Sequence, residues 1–205
     1  EDIHVIGASR TDAGVHALGN VAVFDTESRI PPEKISYALN QSLPEDIVIQ
    51  SSAEVAENFH PRHCESRKTY EYRILNREMR NPILDRTTYF FHYPLNLDAM
   101  REAGRHFVGE HDFKSVCCRR TEAESTVRTI TDLSLEKNGD VITIRITGNG
   151  FLYNMVRIIA GTLIEVGNGR RLPDEIPELL KKKDRVLAGP TAPAKGLTLV
   201  GIEFL

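Results

Sequence analysis

The sequence contains little cysteine, no long hydrophobic run and no excess of positive charge. Three cysteines among 205 residues cannot all pair within one chain, and a chain of this length can fold without disulfide bonds. We therefore expect reduced thiols and a cytoplasmic protein. No apolar run approaches the roughly 20 residues that are needed to span a bilayer, and no secretory signal pattern is visible. Binding to a membrane is not expected.

The charge balance gives no indication of a nucleic-acid-binding protein. The formal net charge is −3, whereas such proteins commonly carry a surplus of lysine and arginine. This argues only weakly against an RNA partner, because a basic stripe on a mildly acidic body still binds phosphate groups. P-loops, dinucleotide-binding glycine motifs and Gly-x-Ser-x-Gly elbows are also missing, so we expect no cofactor.

The remaining composition is that of a globular domain, with 40% hydrophobic and 27% charged residues, and strand-like segments alternate with helix-like ones. Strands are predicted at 3–6, 21–24, 47–53, 67–75, 88–91, 129–136, 141–147 and 197–204, and helices at 31–41, 97–108, 151–166 and 172–183. Asn138-Gly139 predicts a type I′ hairpin, and the polar segment 110–126 is expected to be irregular. A hairpin within this alternation indicates an α+β fold with a mixed, mainly antiparallel sheet.

The loop between the first two predicted strands carries one acid beside one permanent cation. This loop, residues 7–17, contains Asp12 and Arg10. A carboxylate on such a loop is well placed for chemistry, because the two strands hold what the loop presents. Aspartate is also a common turn residue, so an Asp12 that only caps a turn is an equally good interpretation of these residue types.

Arg157 lies inside the most hydrophobic predicted helix, residues 151–166. A buried guanidinium group costs several kcal/mol unless it is paired and hydrogen-bonded, so a carboxylate partner is expected. Asp12 is the partner that we predict, because such a pair keeps a carboxylate ionised, as a nucleophile requires. The alternative is that Arg157 extends to the surface along its apolar stem.

One face of the predicted strand 67–75 is aromatic, because Lys68, Tyr70, Tyr72 and Ile74 alternate with polar residues. Tyr70 is either a half-buried core residue or a flat ring for stacking on an unstacked base, with a hydroxyl group near the nucleophile. Tyr72 is interpreted as packing.

Residues 10–17 read Arg-Thr-Asp-Ala-Gly-Val-His-Ala, and this run closely resembles the catalytic signature of the tRNA pseudouridine synthase A family. Further resemblance runs through residues 111–115, 125–130, 151–167 and 192–197, in the order of the family. Ser9 stands where many members have glycine.

The resemblance implies two ferredoxin-like halves that flank a central cleft, with a join near residues 93 to 96. We assign residues 1–94 to an N-terminal catalytic half and residues 95–205 to a C-terminal half. Members carry an upstream strand with a Tyr-Asp-Gly-Thr-like signature, followed by a helix. Both are missing here, so we expect the chain to be an N-terminally truncated fragment.

The implied function is the conversion of uridine to pseudouridine in the anticodon stem-loop of tRNA, at positions 38 to 40. This isomerase reaction needs no cofactor, and members act as homodimers. Asp12 corresponds to the nucleophile of the family, Arg157 and Arg10 to its other catalytic residues, and Tyr70 to its substrate-contacting tyrosine.

Other residues are candidates for RNA contact rather than for chemistry. The predicted substrate-binding set is completed by His60, Arg62, Arg67 and Lys68, and further cations that could meet phosphate groups are Arg119, Arg120, Arg170 and Arg171. His16 and His60 are interpreted as structural or RNA-contacting. A zinc site at His60, His63 and Cys64 is not expected, because structural zinc normally draws four ligands with recognisable spacing.

Two other functions stay open at this point. One is a catalytically inactive tRNA-binding or RNA-binding module of the same fold, against which the intact set of Arg10, Asp12, Tyr70 and Arg157 counts. The other is a carboxylate-based nucleoside hydrolase, which would normally need a second acid close to the first.

Overall fold

The computed structural model describes residues 1–118 and 124–205, which form two compact units. The first unit contains Glu1–Ala8 and Val21–Cys64, and the second contains Ser9–Asn20 and Glu65–Leu205. The join that we predict near residues 93 to 96 lies within the second unit. The division into halves 1–94 and 95–205 stays a prediction.

The first unit has little regular structure. Strand β1 (Ile6–Gly7) pairs antiparallel with β3 (Ala22–Val23), and helix α1 spans Pro32–Asn40. Strand β2 (His16–Ala17), which lies between β1 and β3 in the chain, belongs to the second unit. The strand predicted at 3–6 is thus observed only at Ile6–Gly7, and the strand predicted at 21–24 only at Ala22–Val23.

The strand predicted at 47–53 is wrong. Its backbone bonds to side chains instead of to a neighbouring strand: the Asn40 amide donates to the Ile49 carbonyl at 2.9 Å and accepts from the Ile49 N–H at 2.8 Å. The Ser52 hydroxyl donates to the Pro32 carbonyl at 2.6 Å. At Ile49 the Asn40 side chain therefore takes the hydrogen bonds that a strand partner would otherwise make, while the Ser52 side chain bonds to the backbone of α1.

The second unit is built on a seven-stranded sheet. Its strands are β2, β4 (Ser66–Leu75), β5 (Tyr89–Phe90), β6 (Gly109–Asp112), β7 (Val127–Asn138), β8 (Val141–Gly148) and β9 (Leu197–Phe204). Their order is β2-β9-β4-β8-β7-β6, and β5 also pairs with β4. The β2–β9 and β4–β5 pairs are parallel and the others are antiparallel. This confirms the predicted α+β class with a mixed, mainly antiparallel sheet.

The described residues of this unit form three α-helices: α2 (Leu97–Arg105), α3 (Met155–Gly167) and α4 (Glu175–Lys182). The Asn96 side chain caps α2 by accepting from the N–H groups of Asp98 and Ala99, each at 3.1 Å, as predicted. Helix α3 is buried on nearly all sides, which also agrees with its composition. No helix in the described residues is long and apolar enough to cross a membrane.

Several predicted boundaries and one predicted loop are corrected. Helix α3 begins at residue 155 rather than 151, because Asn154 has the left-handed backbone conformation with φ 62°. The β7–β8 turn has Gly139 and Asp140 at its centre, and only Gly139 has a positive φ, so the turn is not type I′. The segment expected to be irregular contains β6 and a buried 3₁₀ helix at Phe113–Val116.

The two faces of the sheet differ. Tyr70, Tyr72 and Ile74 are buried on the face that packs against α2 and α3, which we call the covered face. On β4, Glu71 lies on the opposite, polar face and forms an ion pair with Arg145 of β8. The alternation predicted for residues 67–75 is therefore confirmed.

Candidate active site

Asp12 lies at the start of a tight turn. The N–H of Val15 donates to the Asp12 carbonyl at 3.0 Å, and Gly14, the third residue of the turn, has φ +81°. A positive φ at that position is typical of a type II turn and is readily adopted only by glycine. The backbone therefore explains why a glycine stands two residues after the acid.

The loop is attached to the sheet directly after this turn. Strand β2 pairs with β9, and the N–H of Leu18 donates to the Leu199 carbonyl at 2.8 Å. A ring nitrogen of His16 bonds to the Arg86 carbonyl at 2.8 Å, which agrees with a structural role for this histidine. The sheet thus holds the segment that presents Asp12.

The predicted ion pair between Arg157 and Asp12 is present. Arg157 Nη1 lies 2.8 Å from Asp12 Oδ2, and the exposed fractions of the two side chains are 16% and 22%. A snorkelling Arg157 is therefore excluded. Because the pair is largely removed from water, its attraction is screened less than that of a surface pair.

Two further acceptors hold the guanidinium group. Arg157 Nη1 also donates to Asn154 Oδ1 at 2.8 Å, and Nε donates to the Ala192 carbonyl at 2.8 Å. The Ala192 N–H donates back to the Arg157 carbonyl at 3.1 Å. A half-buried cation with three acceptors on three segments has little freedom to move, so the position of Asp12 is determined by rigid neighbours.

Tyr70 is buried beside the loop. Its Oη lies 3.2 Å from Ser9 Oγ, and its ring meets Phe151 edge-on with centroids 5.3 Å apart. Burial and the negative charge of Asp12 raise the pKa of Tyr70, while the Ser9 hydrogen bond acts in the opposite direction. The phenol is therefore protonated at neutral pH and can donate a hydrogen bond.

Tyr72 has a different environment two residues along β4. It is fully buried, and its hydroxyl donates to the Pro193 carbonyl at 2.8 Å. Burial raises its pKa far above the ordinary tyrosine value. With its hydroxyl already bonded to the backbone, Tyr72 packs in the core, as predicted.

A sequence profile of the tRNA pseudouridine synthase family matches residues 1–63 and 103–204. The chain belongs to this family. It is 49% identical to a protein of Thermoanaerobacter sp. strain X514 and 51% identical to one of Brevibacillus brevis strain 47, over all of this chain and 84% of each relative. A Bacillus subtilis strain 168 protein is 45% identical over 98% of this chain and 82% of its own length. Each is named tRNA pseudouridine synthase A, which confirms the predicted family and the predicted class of enzyme, an isomerase.

Arg10, two residues from Asp12, is exposed and forms no ion pair with any described residue. A surface ion pair of Arg10 is thus not observed among the described residues. Its guanidinium group stays available to a phosphate or a ribose. The catalytic role of Arg10 stays a prediction.

The predicted RNA-contacting residues are distributed over both units. His60 and Arg62 lie in the first unit, where the His60 ring stacks on His63 at 3.8 Å between centroids. In the second unit, the alternation of β4 puts exposed Arg67 on the polar face and Lys68 on the covered face. Burial lowers the pKa of Lys68.

The remaining candidate cations also differ in environment. Arg170 is exposed, whereas Arg171 pairs with Glu165 at 3.3 Å and with Glu175 at 3.4 Å. Arg171 is therefore engaged within the fold. Arg119 and Arg120 lie outside the described residues. Within residues 1–118 and 124–205, no group of three or more His, Cys, Asp or Glu side chains could hold a metal ion.

Two site residues were not identified from the sequence. Asn154 contacts Arg157, and Ser9 contacts Tyr70. Asn154 carries a weak signal, because asparagine tolerates the left-handed conformation better than most residues and stands one turn before the arginine. Ser9 carries none, since nothing local indicates that Tyr70, 61 residues away, lies beside it.

Proposed function

We propose that this chain isomerises uridine to pseudouridine in the anticodon stem-loop of tRNA, at positions 38 to 40, with Asp12 as the nucleophile. The observation that supports this assignment is the Asp12–Arg157 pair, a half-buried carboxylate joined to a guanidinium group that has two further acceptors. This arrangement leaves Asp12 Oδ1 without a hydrogen bond to any described residue.

The reaction breaks the bond between uracil N1 and ribose C1′ and forms a bond between C5 and C1′. The uracil turns between these steps, C5 loses a proton and N1 gains one, so no electron or group is exchanged with a cofactor. Asp12 either attacks C1′ directly or promotes a glycal intermediate. Both routes require an ionised carboxylate beside the ribose.

The target base must leave its stack to reach Asp12, because a half-buried carboxylate cannot approach a base inside a duplex. We propose that Tyr70 contacts the everted uracil with its hydroxyl group, which is protonated at neutral pH and can act as a donor. We assign exposed Arg10 to the RNA backbone beside that nucleotide. His60, Arg62, Arg67, Lys68 and Arg170 are proposed to contact other parts of the RNA.

Tritium release from tRNA labelled with [5-³H]uridine tests the proposal, because only formation of the C5–C1′ bond expels the label. We expect release by the wild type and none above background by Asp12→Ala. Asp174→Asn is a matched control, since Asp174 is exposed and its side chain caps no backbone group of α4. Release that persists in Asp12→Ala would remove Asp12 from the role of nucleophile.

The same preparation separates the alternatives. Binding of tRNA without tritium release would indicate a catalytically inactive RNA-binding module, and free uracil in the supernatant would indicate a nucleoside hydrolase. Chemical mapping of pseudouridine in the product tests the assignment to positions 38 to 40. We further propose a cytoplasmic homodimer in which the RNA contacts both chains.

A further inference from the structure

We infer that Ser9 is a positioning residue for Tyr70, whose hydroxyl group it holds in one orientation beside the Asp12 loop. Ser9 Oγ and Tyr70 Oη lie 3.2 Å apart. Within the described part of the chain, this serine is the hydrogen-bond partner of the phenol. The inference rests on the proposed function, because it requires Tyr70 to contact the uracil.

Both partners in this contact are held by their surroundings. The Ser9 carbonyl accepts from the Asn20 side chain at 3.1 Å, across the base of the loop. Phe151 contacts the Tyr70 ring edge-on. The backbone of Tyr70 lies between two neighbouring strands, where it pairs with Ile146 of β8 and Leu199 of β9. A hydrogen bond between two fixed groups restricts the rotation of the phenolic O–H, whichever oxygen is the donor.

The contact also links the phenol to the nucleophile. Ser9 and Asp12 stand three residues apart on one loop; Ser9 joins that loop to β4, and Asp12 joins it to α3 through Arg157. The negative charge of Asp12, which is paired with Arg157, also contributes to the raised pKa of the phenol. The loop is therefore attached at Ser9 to Tyr70 and at Asp12 to Arg157. Tyr70 and Asp12 are the two groups that would contact the substrate.

A double-mutant cycle tests this role. Loss of one hydrogen bond corresponds to about a fivefold to tenfold change in rate, so we expect Ser9→Ala to lower kcat for tritium release by that factor with little change in KM. If Ser9 acts through the phenol, Ser9→Ala has no further effect in a Tyr70→Phe background. Ser28→Ala, which removes an exposed hydroxyl that accepts from the nearby Ile30 N–H, is the control with unchanged kcat.

A spectroscopic measurement gives a second, independent readout. In protein labelled with ¹³Cζ-tyrosine, the Tyr70 resonance is identified by its loss in Tyr70→Phe. We expect Ser9→Ala to shift this resonance at neutral pH and to raise the Tyr70 titration midpoint, because the Ser9 bond favours the ionised form. Ser9→Thr, which keeps the hydroxyl, should restore both values, and circular dichroism verifies that each variant is folded.

Two results would overturn the inference. One is a loss of kcat from Ser9→Ala that is as large in the Tyr70→Phe background as in the wild type. The other is an unchanged Tyr70 resonance and midpoint in Ser9→Ala. The second result is independent of turnover, so a wild type without tritium release would refute the proposed function while the titration still decides the role of Ser9.

Discussion

The two faces of the seven-stranded sheet carry the same kind of ion pair in different surroundings. On the polar face, Arg145 of β8 pairs with Glu71 of β4, and the exposed fractions of the two side chains are 47% and 25%. On the covered side, Arg157 of α3 pairs with Asp12 and also donates to an amide oxygen and a backbone carbonyl. Strand β4 contributes to both regions, since Glu71 is the immediate neighbour of Tyr70.

The comparison shows that enclosure, not residue type, distinguishes the candidate site. An exposed arginine–carboxylate pair contributes about 0–1 kcal/mol to stability and is screened by salt. The Arg157–Asp12 pair has an arginine that is 16% exposed, against 47% for Arg145, and a carboxylate oxygen left for a substrate. Electrostatic stabilisation by preorganised groups is strongest in a site that is shielded from water.

We expect the strongest loss of activity when Arg157 is replaced by leucine, and almost none when Arg145 is replaced in the same way. Arg157→Leu should lower kcat for tritium release by at least about a hundredfold, because Asp12 loses its partner, while tRNA affinity stays nearly unchanged. Arg145→Leu should leave kcat within about twofold of the wild type, because a surface pair contributes little. Single-turnover tritium release and filter binding measure the two quantities.

Two other outcomes would contradict these roles of the two arginines. If Arg157→Leu weakened tRNA binding strongly and left single-turnover release intact, Arg157 would be a phosphate contact. An equal loss of kcat in both variants would remove the distinction between the two faces.

An intermediate effect is expected from Gly161, which lies where α3 meets the loop that carries Ala192. A Cβ at Gly161 would lie 1.8 Å from the Pro190 carbonyl oxygen, whereas a Cβ at Gly201 of β9 would meet nothing within 4 Å. We expect Gly161→Ala to lower the free energy of unfolding by about 1–3 kcal/mol and to reduce kcat, because the loop must move away from Arg157. Urea unfolding followed by circular dichroism measures the stability change.

Gly201→Ala is the matched control for this substitution, and it should change neither stability nor kcat appreciably. A Gly161→Ala variant as stable as the wild type would show that the loop containing Pro190 and Ala192 can move away from α3 at little cost in free energy. The guanidinium group would then not be held as firmly as its three acceptors indicate.

The smallest effect concerns a third ion pair. Asp112 pairs with Lys183 at 2.7 Å with exposed fractions of 23% and 53%, close to those of the polar-face pair. Asp112 also accepts from the Thr126 hydroxyl and the Lys114 N–H. Burial acts to raise the pKa of Asp112, but the hydrogen bonds from Lys183, Thr126 and Lys114 outweigh it and lower the pKa below the model-peptide value of 3.8.

The sign of the pH dependence follows from this lowered pKa. Between the folded and unfolded pKa values the unfolded state binds more protons, so the contribution of Asp112 is present above about pH 4 and is lost as the pH falls through the folded value. Asp112→Asn should cost about 1 kcal/mol at pH 7 and less at pH 2–3, measured by urea unfolding. Asp25→Asn, at an exposed position, should follow the wild type, and an Asp112→Asn penalty that does not vary with pH would contradict the expectation.

The predictions from the sequence succeeded where a structural feature depends only on residues close together in the chain. The alternation of Tyr70, Tyr72 and Ile74, the Asn96 cap and the apolar circumference of α3 each follow from a few consecutive residues. The strand predicted at 47–53 failed because β-branched residues suit a pleated surface only if a neighbour pairs with them. There the Asn40 side chain takes both backbone hydrogen bonds of Ile49.

The charged pair of the candidate site could be predicted from the sequence, but the residues that hold this pair and Tyr70 in position could not. A costly arginine in a hydrophobic helix requires a carboxylate, so the Arg157–Asp12 pair could be expected from the energetics of burial. The left-handed Asn154, the Ala192 carbonyl and Ser9 could not, because each depends on the position of a backbone segment distant in sequence.

The order of residues alone determined which family the chain belongs to and which strand faces are buried. It also determined that the Asp12 carboxylate and the Arg157 guanidinium group had to meet. Only the tertiary structure decided how they meet: through one guanidinium group with three acceptors, and a phenol tied to the same loop. The physical reason is that local periodicity reports the energy of burying each side chain. The geometry between residues 145 positions apart depends instead on how whole segments pack.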